Sequence, residues 1–168
     1  MRSIVFLALL AGGTACATPS NSPAPMPKEF EQLKSLTGTW EGTSKMGDKE
    51  MPIKIVYELT SGGTAISEKL MPGTPHEMLS VYHKEGDSVG MTHYCSMGNQ
   101  PHLELSKSDG NTLVFTMTKP QGISSEKETH MHQLTLTRVD KDTLRQEWLS
   151  YSDGKPDAPH VFTAKRVK

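Results

Sequence analysis

This sequence has few cysteines and no large excess of either positive or negative charge. These two features exclude several classes of protein. Only 2 cysteines are present, so no framework of several disulfides can form. The 18 Lys and Arg residues are balanced by 19 Asp and Glu residues, so the chain lacks the basic excess of a nucleic-acid binder. No apolar run approaches the ~20 residues of a membrane-spanning helix. What is left is a chain of 168 residues, long enough for one domain with its own core.

Motifs for catalysis or metal binding are also few. No Cys-x-x-Cys and no His-Glu-x-x-His is present. His83, His93 and Cys95, or the pair His130 and His132, offer ligands for zinc, but a spacing of two along a strand also arises by chance. Alternation along the strands brings no pair of carboxylates together for acid–base chemistry. We expect no metal and no catalytic residue, and an enzyme is the less favoured class, although fold alone does not decide function.

The N-terminus is typical of an export signal. Arg2 supplies a positive charge, a continuous apolar run follows, and small residues lead to Cys16. Residues 13–16 resemble a bacterial lipobox, whose cysteine becomes the lipidated first residue of the mature chain. We therefore predict a signal at residues 1–16 and lipidation of Cys16. The alternative is ordinary cleavage after Ala17, which would remove the cysteine with the signal.

Residues 17–27 are predicted to form a spacer between the membrane anchor and a folded domain at residues 28–168. The stretch holds four prolines and no charge, and proline fixes the backbone and removes a hydrogen-bond donor, so it should be extended and unpacked. Ala17 rather than an acidic residue follows Cys16, which by analogy with enteric sorting favours the outer membrane, facing the periplasm. The lipid anchor would be the only contact with the membrane.

The folded domain is predicted to be all-β. A short helix with apolar residues on one face, Lys28–Leu36, precedes a series of short alternating runs separated by Gly, Pro, Asn and Asp turns. Nearly every connection is short enough for a hairpin, which favours a ten-stranded antiparallel up-and-down barrel over a sandwich. The predicted strands are Thr39–Met46, Met51–Leu59, Gly63–Met71, Glu77–Lys84, Asp87–Cys95, His102–Ser108, Asn111–Thr118, His130–Val139, Asp142–Tyr151 and His160–Val167.

The first predicted strand carries a family resemblance. Gly38-Thr39-Trp40 after a short helix resembles the Gly-x-Trp start of the calycin superfamily, which includes lipocalins, fatty-acid-binding proteins and nitrobindins. Ten strands without a helical pair after the first make the chain most similar to the nitrobindin branch. The resemblance implies that Trp40 closes one end of the barrel against a basic residue, Arg166 or alternatively Arg138. Residues 75–78 and 93–101 also resemble uncharacterised bacterial envelope proteins of this barrel type.

Alternation assigns side chains to the lumen. An inward face that mixes apolar groups with imidazoles suits a ligand-binding barrel, and a packed core shows the same pattern. Glu68 shares a face with apolar neighbours and is a candidate inward carboxylate, while Cys95 is expected to be a buried, inert thiol. The predicted lumen residues are Leu79, Val81, His83, Met91, His93, Phe115, His132, Leu134 and Trp148.

These residues predict a non-catalytic barrel that binds a small, largely apolar ligand. A structural envelope protein, with a packed barrel and a partner on its outer surface, is the rival, and the oligomeric state stays open. Pro159-His160 resembles the end of nitrobindins, where a histidine ligates haem, which implies haem as an alternative ligand. His160 would then be the axial ligand, with His76 or His93 on the distal side.

Overall fold

The computed structural model describes residues 25–46 and 49–167. The predicted signal, Cys16 and residues 17–24 of the predicted spacer lie outside these ranges. Among the described residues, no helix has the length and apolarity needed to cross a membrane. One helix, α1 (Lys28–Lys34), comes before the strands. The strands are β1 (Gly38–Met46), β2 (Lys49–Thr60), β3 (Ala65–Leu70), β4 (Met78–Glu85), β5 (Ser88–Tyr94), β6 (His102–Asp109), β7 (Thr112–Thr116), β8 (His130–Arg138), β9 (Thr143–Ser152), β10 (Lys155–Pro156) and β11 (His160–Arg166).

The predicted ten-stranded antiparallel barrel is confirmed. From β1 to β9 each strand pairs with the next along the chain, and β11 pairs with both β9 and β1 to complete the ring. The two-residue β10, which the sequence pattern does not indicate, pairs with the last two residues of β9 and lies outside the ring. Closure leaves none of these ten strands as an unpaired edge, which removes a route to aggregation.

One end of the barrel is covered by α1. Phe30 and Leu33, three residues apart, are fully buried beneath the helix, and the ring of Trp40 packs there with 0% exposure. The indole Nε1 donates a hydrogen bond of 2.8 Å to the carbonyl of Leu36. The helix and the first strand therefore share one apolar cluster, which explains why the chain needs a helix with only one apolar face.

Arg166 holds this closed end from the last strand. Its guanidinium carbon lies 4.2 Å from the centroid of the Trp40 ring, and the two residues are cross-strand partners. The guanidinium also donates hydrogen bonds of 2.8 Å to the carbonyls of Thr37 and Ser35. A cation over an indole stabilises by about 0.5–2 kcal/mol depending on desolvation. Arg138, the alternative partner, instead reaches the hydroxyl of Ser35 at 3.3 Å.

Candidate functional site: the mouth of the barrel

The inward face of β4 is the opposite of the predicted one. Ser80 and Tyr82 are 2% and 0% exposed, so Leu79, Val81 and His83 lie on the outer side, half-buried. The lumen prediction for these three residues is wrong. Cross-strand register explains the outcome, because β4 places Ser80 between Glu68 of β3 and His93 of β5. The face with Ser80 and Tyr82 turns inward because both side chains find buried hydrogen-bond partners there. The face with Leu79 and Val81 turns outward although it is more apolar.

His132 is also excluded from the lumen. The pairing of β8 with β9 shifts register between Met131 and Gln133, so His132 is the extra residue of a β-bulge. Its ring stacks on that of Tyr151 on the outside of the barrel, with centroids 3.9 Å apart and planes 19° apart. Met131 packs against the core instead. Alternation counted through the bulge assigns the wrong face, and only the register reveals the extra residue.

The structure places the other predicted lumen residues inside the barrel. Each is at most 1% exposed: Met91, His93, Phe115, Leu134 and Trp148. These side chains come from β5, β7, β8 and β9, where alternation is uninterrupted on the inward face after the β8 bulge. Strict period-two alternation is therefore enough to locate the interior of β5, β7 and β9, and that of β8 after its bulge.

The middle of the barrel is filled by a polar network around Glu68. One carboxylate oxygen of Glu68 accepts a hydrogen bond from the hydroxyl of Tyr82, and the other accepts one of 2.8 Å from Gln146 Nε2. Gln146 also contacts the hydroxyl of Tyr57 at 2.6 Å, and its Oε1 accepts the indole N–H of Trp148 at 3.0 Å. Desolvation raises the pKa of Glu68, and the hydrogen bonds from Tyr82, Gln146 and Tyr57 oppose part of that rise. The network leaves no continuous open lumen through the described residues.

A cavity of about 250 Å³ lies beyond this network, at the end of the barrel remote from Trp40. Strand ends and two turns, residues 71–78 and 95–101, build its wall. Most of the lining is apolar or sulfur-bearing, and three imidazoles and two hydroxyls interrupt it. The lining residues are Ser44, Met51, Leu70, Met71, His76, Met78, His93, Cys95, Ser96, Met97, Met131, Trp148, His160 and Phe162. We call this space the mouth cavity.

His93 is the most deeply buried polar group on the mouth cavity. Its Nδ1 lies 3.0 Å from the hydroxyl of Ser80, and its ring centroid is 4.6 Å from that of Trp148. Its Nε2 is buried and has no hydrogen-bond partner among the described residues. Burial lowers the pKa of His93 to about 4, so the ring is neutral near neutral pH. A buried nitrogen without a partner is costly, and a ligand in the cavity would supply the missing interaction.

Cys95 lines the mouth cavity rather than the packed core. It follows β5, and its Sγ lies 4.0 Å from the sulfur of Met78. Burial raises the pKa of the thiol, which keeps it protonated and unreactive as a nucleophile near neutral pH. The turn after it is rigidly closed, because the backbone N–H of Cys95 donates to the carbonyl of Asn99 at 3.0 Å.

Asn99 ties that turn to the long loop before β8. Its Nδ2 donates to a carboxylate oxygen of Glu128 at 2.8 Å and to the carbonyl of Thr129 at 2.9 Å. These hydrogen bonds lower the pKa of Glu128, whose carboxylate also accepts the backbone N–H of Ser124. Residues 93–101 are thus held by a hydrogen bond within the turn and by hydrogen bonds to the loop before β8. This conformation positions Cys95 and Met97 in the wall of the cavity.

His160 also faces the mouth cavity, on the same side of β11 as Phe162, and is half-buried. Its cross-strand partner is Trp148. Pockets for drug-sized ligands measure about 300–1,000 Å³, and a porphyrin is at the large end of such ligands. A cavity of about 250 Å³ whose wall is already occupied by packed Trp148 does not suit a porphyrin. The mouth therefore fits a smaller molecule than haem.

Clusters of His, Cys, Asp and Glu side chains of the kind that usually hold a metal ion are not found in the part of the chain that the structure describes. No three His, Cys, Asp or Glu side chains there converge as ligands. The residues Gly86-Asp87-Ser88-Val89-Gly90 match Gly-x-Ser-x-Gly by letter, but they span the hairpin between β4 and β5 and Ser88 is exposed. A nucleophile elbow instead joins a strand to a helix.

Comparison with known proteins adds no assignment. No protein-family model and no curated protein matches this chain. The class that the fold defines is a closed, all-β antiparallel barrel with one covered end and one cavity-bearing mouth.

Proposed function

We propose that this protein is an exported, lipid-anchored barrel that binds a small, largely apolar ligand in the mouth cavity. The observation that carries the proposal is the cavity itself, about 250 Å³ of space lined mainly by thioether, aliphatic and aromatic groups above a packed barrel centre. Small-molecule sites are concave and mostly apolar, with a few polar groups that orient the ligand. The barrel with Trp40 against Arg166 supports a likeness to calycins, in which ligands enter at one end.

The lining indicates what chemistry the ligand should have. Five methionines surround the space, and their flexible, polarisable side chains adapt to ligands of irregular shape. Among the described residues that line the cavity, the buried side-chain polar atom that lacks a hydrogen-bond partner is Nε2 of His93. The ligand should therefore be neutral, with an apolar body and a single hydroxyl, carbonyl or comparable group that reaches His93. A carboxylate is disfavoured, because neutral His93 supplies no charge to offset its burial.

The filled centre supports the rival, a structural envelope protein with a packed barrel. Tyr57, Glu68, Tyr82 and Gln146 occupy the middle of the barrel with at most 1% exposure each. Such a barrel would act through its outer surface and hold nothing in the mouth. The two proposals therefore differ in whether the mouth cavity takes up a ligand.

Fluorescence of Trp148 distinguishes them, because this indole lines the cavity. The only other tryptophan, Trp40, lies at the closed end, so Trp40→Phe isolates the Trp148 signal. Titration with octanol, a neutral ligand with one hydroxyl, should change that emission saturably. Met131→Trp fills the cavity and should abolish the uptake of octanol, followed by equilibrium dialysis. Val139→Trp, at a position 55% exposed outside the barrel, should leave it unchanged. Equal octanol binding by both variants would remove the mouth as the site.

The anchoring part of the proposal rests on Cys16 and the proline-rich spacer. Intact-mass analysis of protein purified from membranes should show a chain that begins at Cys16 and carries the mass of its acyl groups. A chain that begins at Thr18 without added mass would contradict lipidation and support ordinary cleavage. Mass spectrometry reports this independently of any ligand.

A further inference from the structure

Soft donor atoms are concentrated in the lining of the mouth cavity. Five of the 10 methionines of the chain and Cys95 line this single space. Thiolate and thioether sulfur prefer soft ions such as Cu(I), whereas carboxylate and water suit Mg²⁺ or Ca²⁺. Among the described residues, no Asp or Glu lines the mouth cavity. The donor set of the cavity thus selects against hard divalent ions and in favour of a soft one.

The sulfur atoms of Cys95 and Met78 have a spacing that suits a shared metal ion. Sγ of Cys95 and Sδ of Met78 are 4.0 Å apart. With metal–sulfur bonds of about 2.3 Å, an ion between them would see the two sulfurs at an angle of about 120°. That angle is the trigonal arrangement that three-coordinate ions adopt. The sulfurs need no rearrangement to provide two of three ligands.

A third donor lies next to this pair on the same two strands. His93 lies on the inward face of β5 and Cys95 directly follows that strand, while Met78 and Ser80 lie on the inward face of β4. The hydrogen bond between the hydroxyl of Ser80 and Nδ1 of His93 fixes the orientation of the ring. The other ring nitrogen, Nε2, has no hydrogen-bond partner among the described residues. A ligating imidazole commonly has its second nitrogen held in this way.

The charge of the three donors, Cys95, Met78 and His93, determines which oxidation state of a bound metal ion they favour. Cys95 is the only side chain among the three donors that acquires a negative charge when it binds metal. A monovalent ion on one thiolate makes a neutral unit, whereas a divalent ion would leave a net positive charge in an apolar cavity at a high desolvation cost. These three donors therefore favour a monovalent soft ion.

We propose that Cys95, Met78 and His93 form a binding site for one Cu(I) ion. On binding, the thiol of Cys95 loses its proton to solvent, a Cu–S bond forms, and no electron is transferred. Met78 and Nε2 of His93 complete the coordination. The site goes beyond the binding of an apolar ligand, and it competes with a ligand that reaches His93, because both use Nε2 of that ring.

Competition with the chromophoric Cu(I) chelator bicinchoninate tests the site in the full-length chain under anaerobic, reducing conditions. One equivalent of Cu(I) should leave the chelator, and X-ray absorption of the bound ion should show two sulfur ligands and one nitrogen ligand. Cys95→Ser should weaken binding by about 100-fold and Met78→Leu by about 10-fold. Met117→Leu is the matched control, since Met117 is buried away from the mouth, and it should bind as the parent does.

Three outcomes would overturn the proposal. The chelator keeps all of the copper, or both mouth variants bind Cu(I) as tightly as the parent, or Zn²⁺ binds as tightly as Cu(I). Circular dichroism verifies the folding of each variant. If Cys95→Ser does not fold, Met78→Leu against Met117→Leu decides the question, because both replace one thioether by a side chain of similar volume.

Discussion

Glu68 shows how a single side chain can be stabilised in an unfavourable place. A carboxyl group with 1% exposure would be costly as an isolated anion, so desolvation raises its pKa above the ordinary value of 4.5. Tyr82 and Gln146 donate hydrogen bonds to it, which satisfies its oxygens. The same burial and the carboxylate beside them raise the pKa values of Tyr57 and Tyr82 well above 10.0, so both phenols stay neutral. The network is thus a set of mutually hydrogen-bonded groups in which both phenols stay neutral.

The raised pKa of Glu68 makes stability depend on pH. Below the unfolded pKa, near 4.5, both states hold the proton and the contribution to stability is complete. As the pH rises, the unfolded chain releases the proton first, so the free energy of unfolding falls by up to about 1.4 kcal/mol per pH unit until the folded pKa is reached. Urea unfolding between pH 4 and pH 8 should show this fall in the difference between the parent and Glu68→Gln, because the lowered pKa of His93 adds the same opposite pH dependence to both proteins.

The control for this prediction is Glu126→Gln, which removes an exposed carboxyl group from the loop before β8. That variant should keep the pH dependence of the parent. Parallel stability curves for the parent and Glu68→Gln would show that Glu68 does not hold a proton in the folded state.

At the scale of the elements, β1 and β11 lie in close contact at Gly42. A Cβ atom added there would collide with the carbonyl oxygen of Thr163 and lie 2.6 Å from the Cα of Ala164. Both are backbone atoms of the strand that closes the ring. Glycine is required at this position by the approach of a neighbouring strand, not by a turn.

Gly42→Ala should therefore destabilise the barrel by about 3 kcal/mol or more, because two strands must separate. Gly90→Ala is the matched control, since its Cβ would meet mainly the carboxylate of Glu85, the end of a flexible and exposed side chain, and its cost should be smaller. Urea unfolding measures both. Equal losses would mean that the β1–β11 contact relaxes as easily as a surface side chain.

The elements also show where sequence reasoning works and where it does not. The turns fix where strands begin and end, because Gly, Asp and Asn between alternating runs act locally, and all ten strands of the ring were predicted close to their observed bounds. Faces were wrong on β4, where Leu79 and Val81 suggest an apolar interior and the polar partners of Ser80 and Tyr82 decide otherwise. On β8 the bulge at His132 breaks the period-two count. Both errors arise from pairing between strands, which no single strand encodes.

At the scale of the molecule, the barrel divides into three levels along its axis. The helix and the Trp40–Arg166 pair cover one end, the Glu68 network fills the centre, and the mouth cavity occupies the other end. The first two levels account for stability and leave the mouth as the place where the described residues have space for a ligand inside the ring.

The mouth could not be predicted from the sequence in the same way as the strands. Its wall comes from strand ends and from the turns at residues 71–78 and 95–101, where alternation no longer applies. Cys95 and Met78 become neighbours only through the register of β4 with β5. Among the residues that the sequence indicated as ligand-contacting or haem-ligating, the cavity is lined by His76, His93, Trp148 and His160.

Native mass spectrometry of the protein purified from its own cells tests the central claim most directly. The account predicts a folded protein that carries one small neutral molecule, released on unfolding and absent from the cavity-filling variant Met131→Trp. The Val139→Trp variant, altered on the outer surface, should carry the same molecule as the parent. A folded parent protein whose mass equals that of the bare processed chain, and which takes up no octanol, would contradict ligand binding and leave a structural barrel.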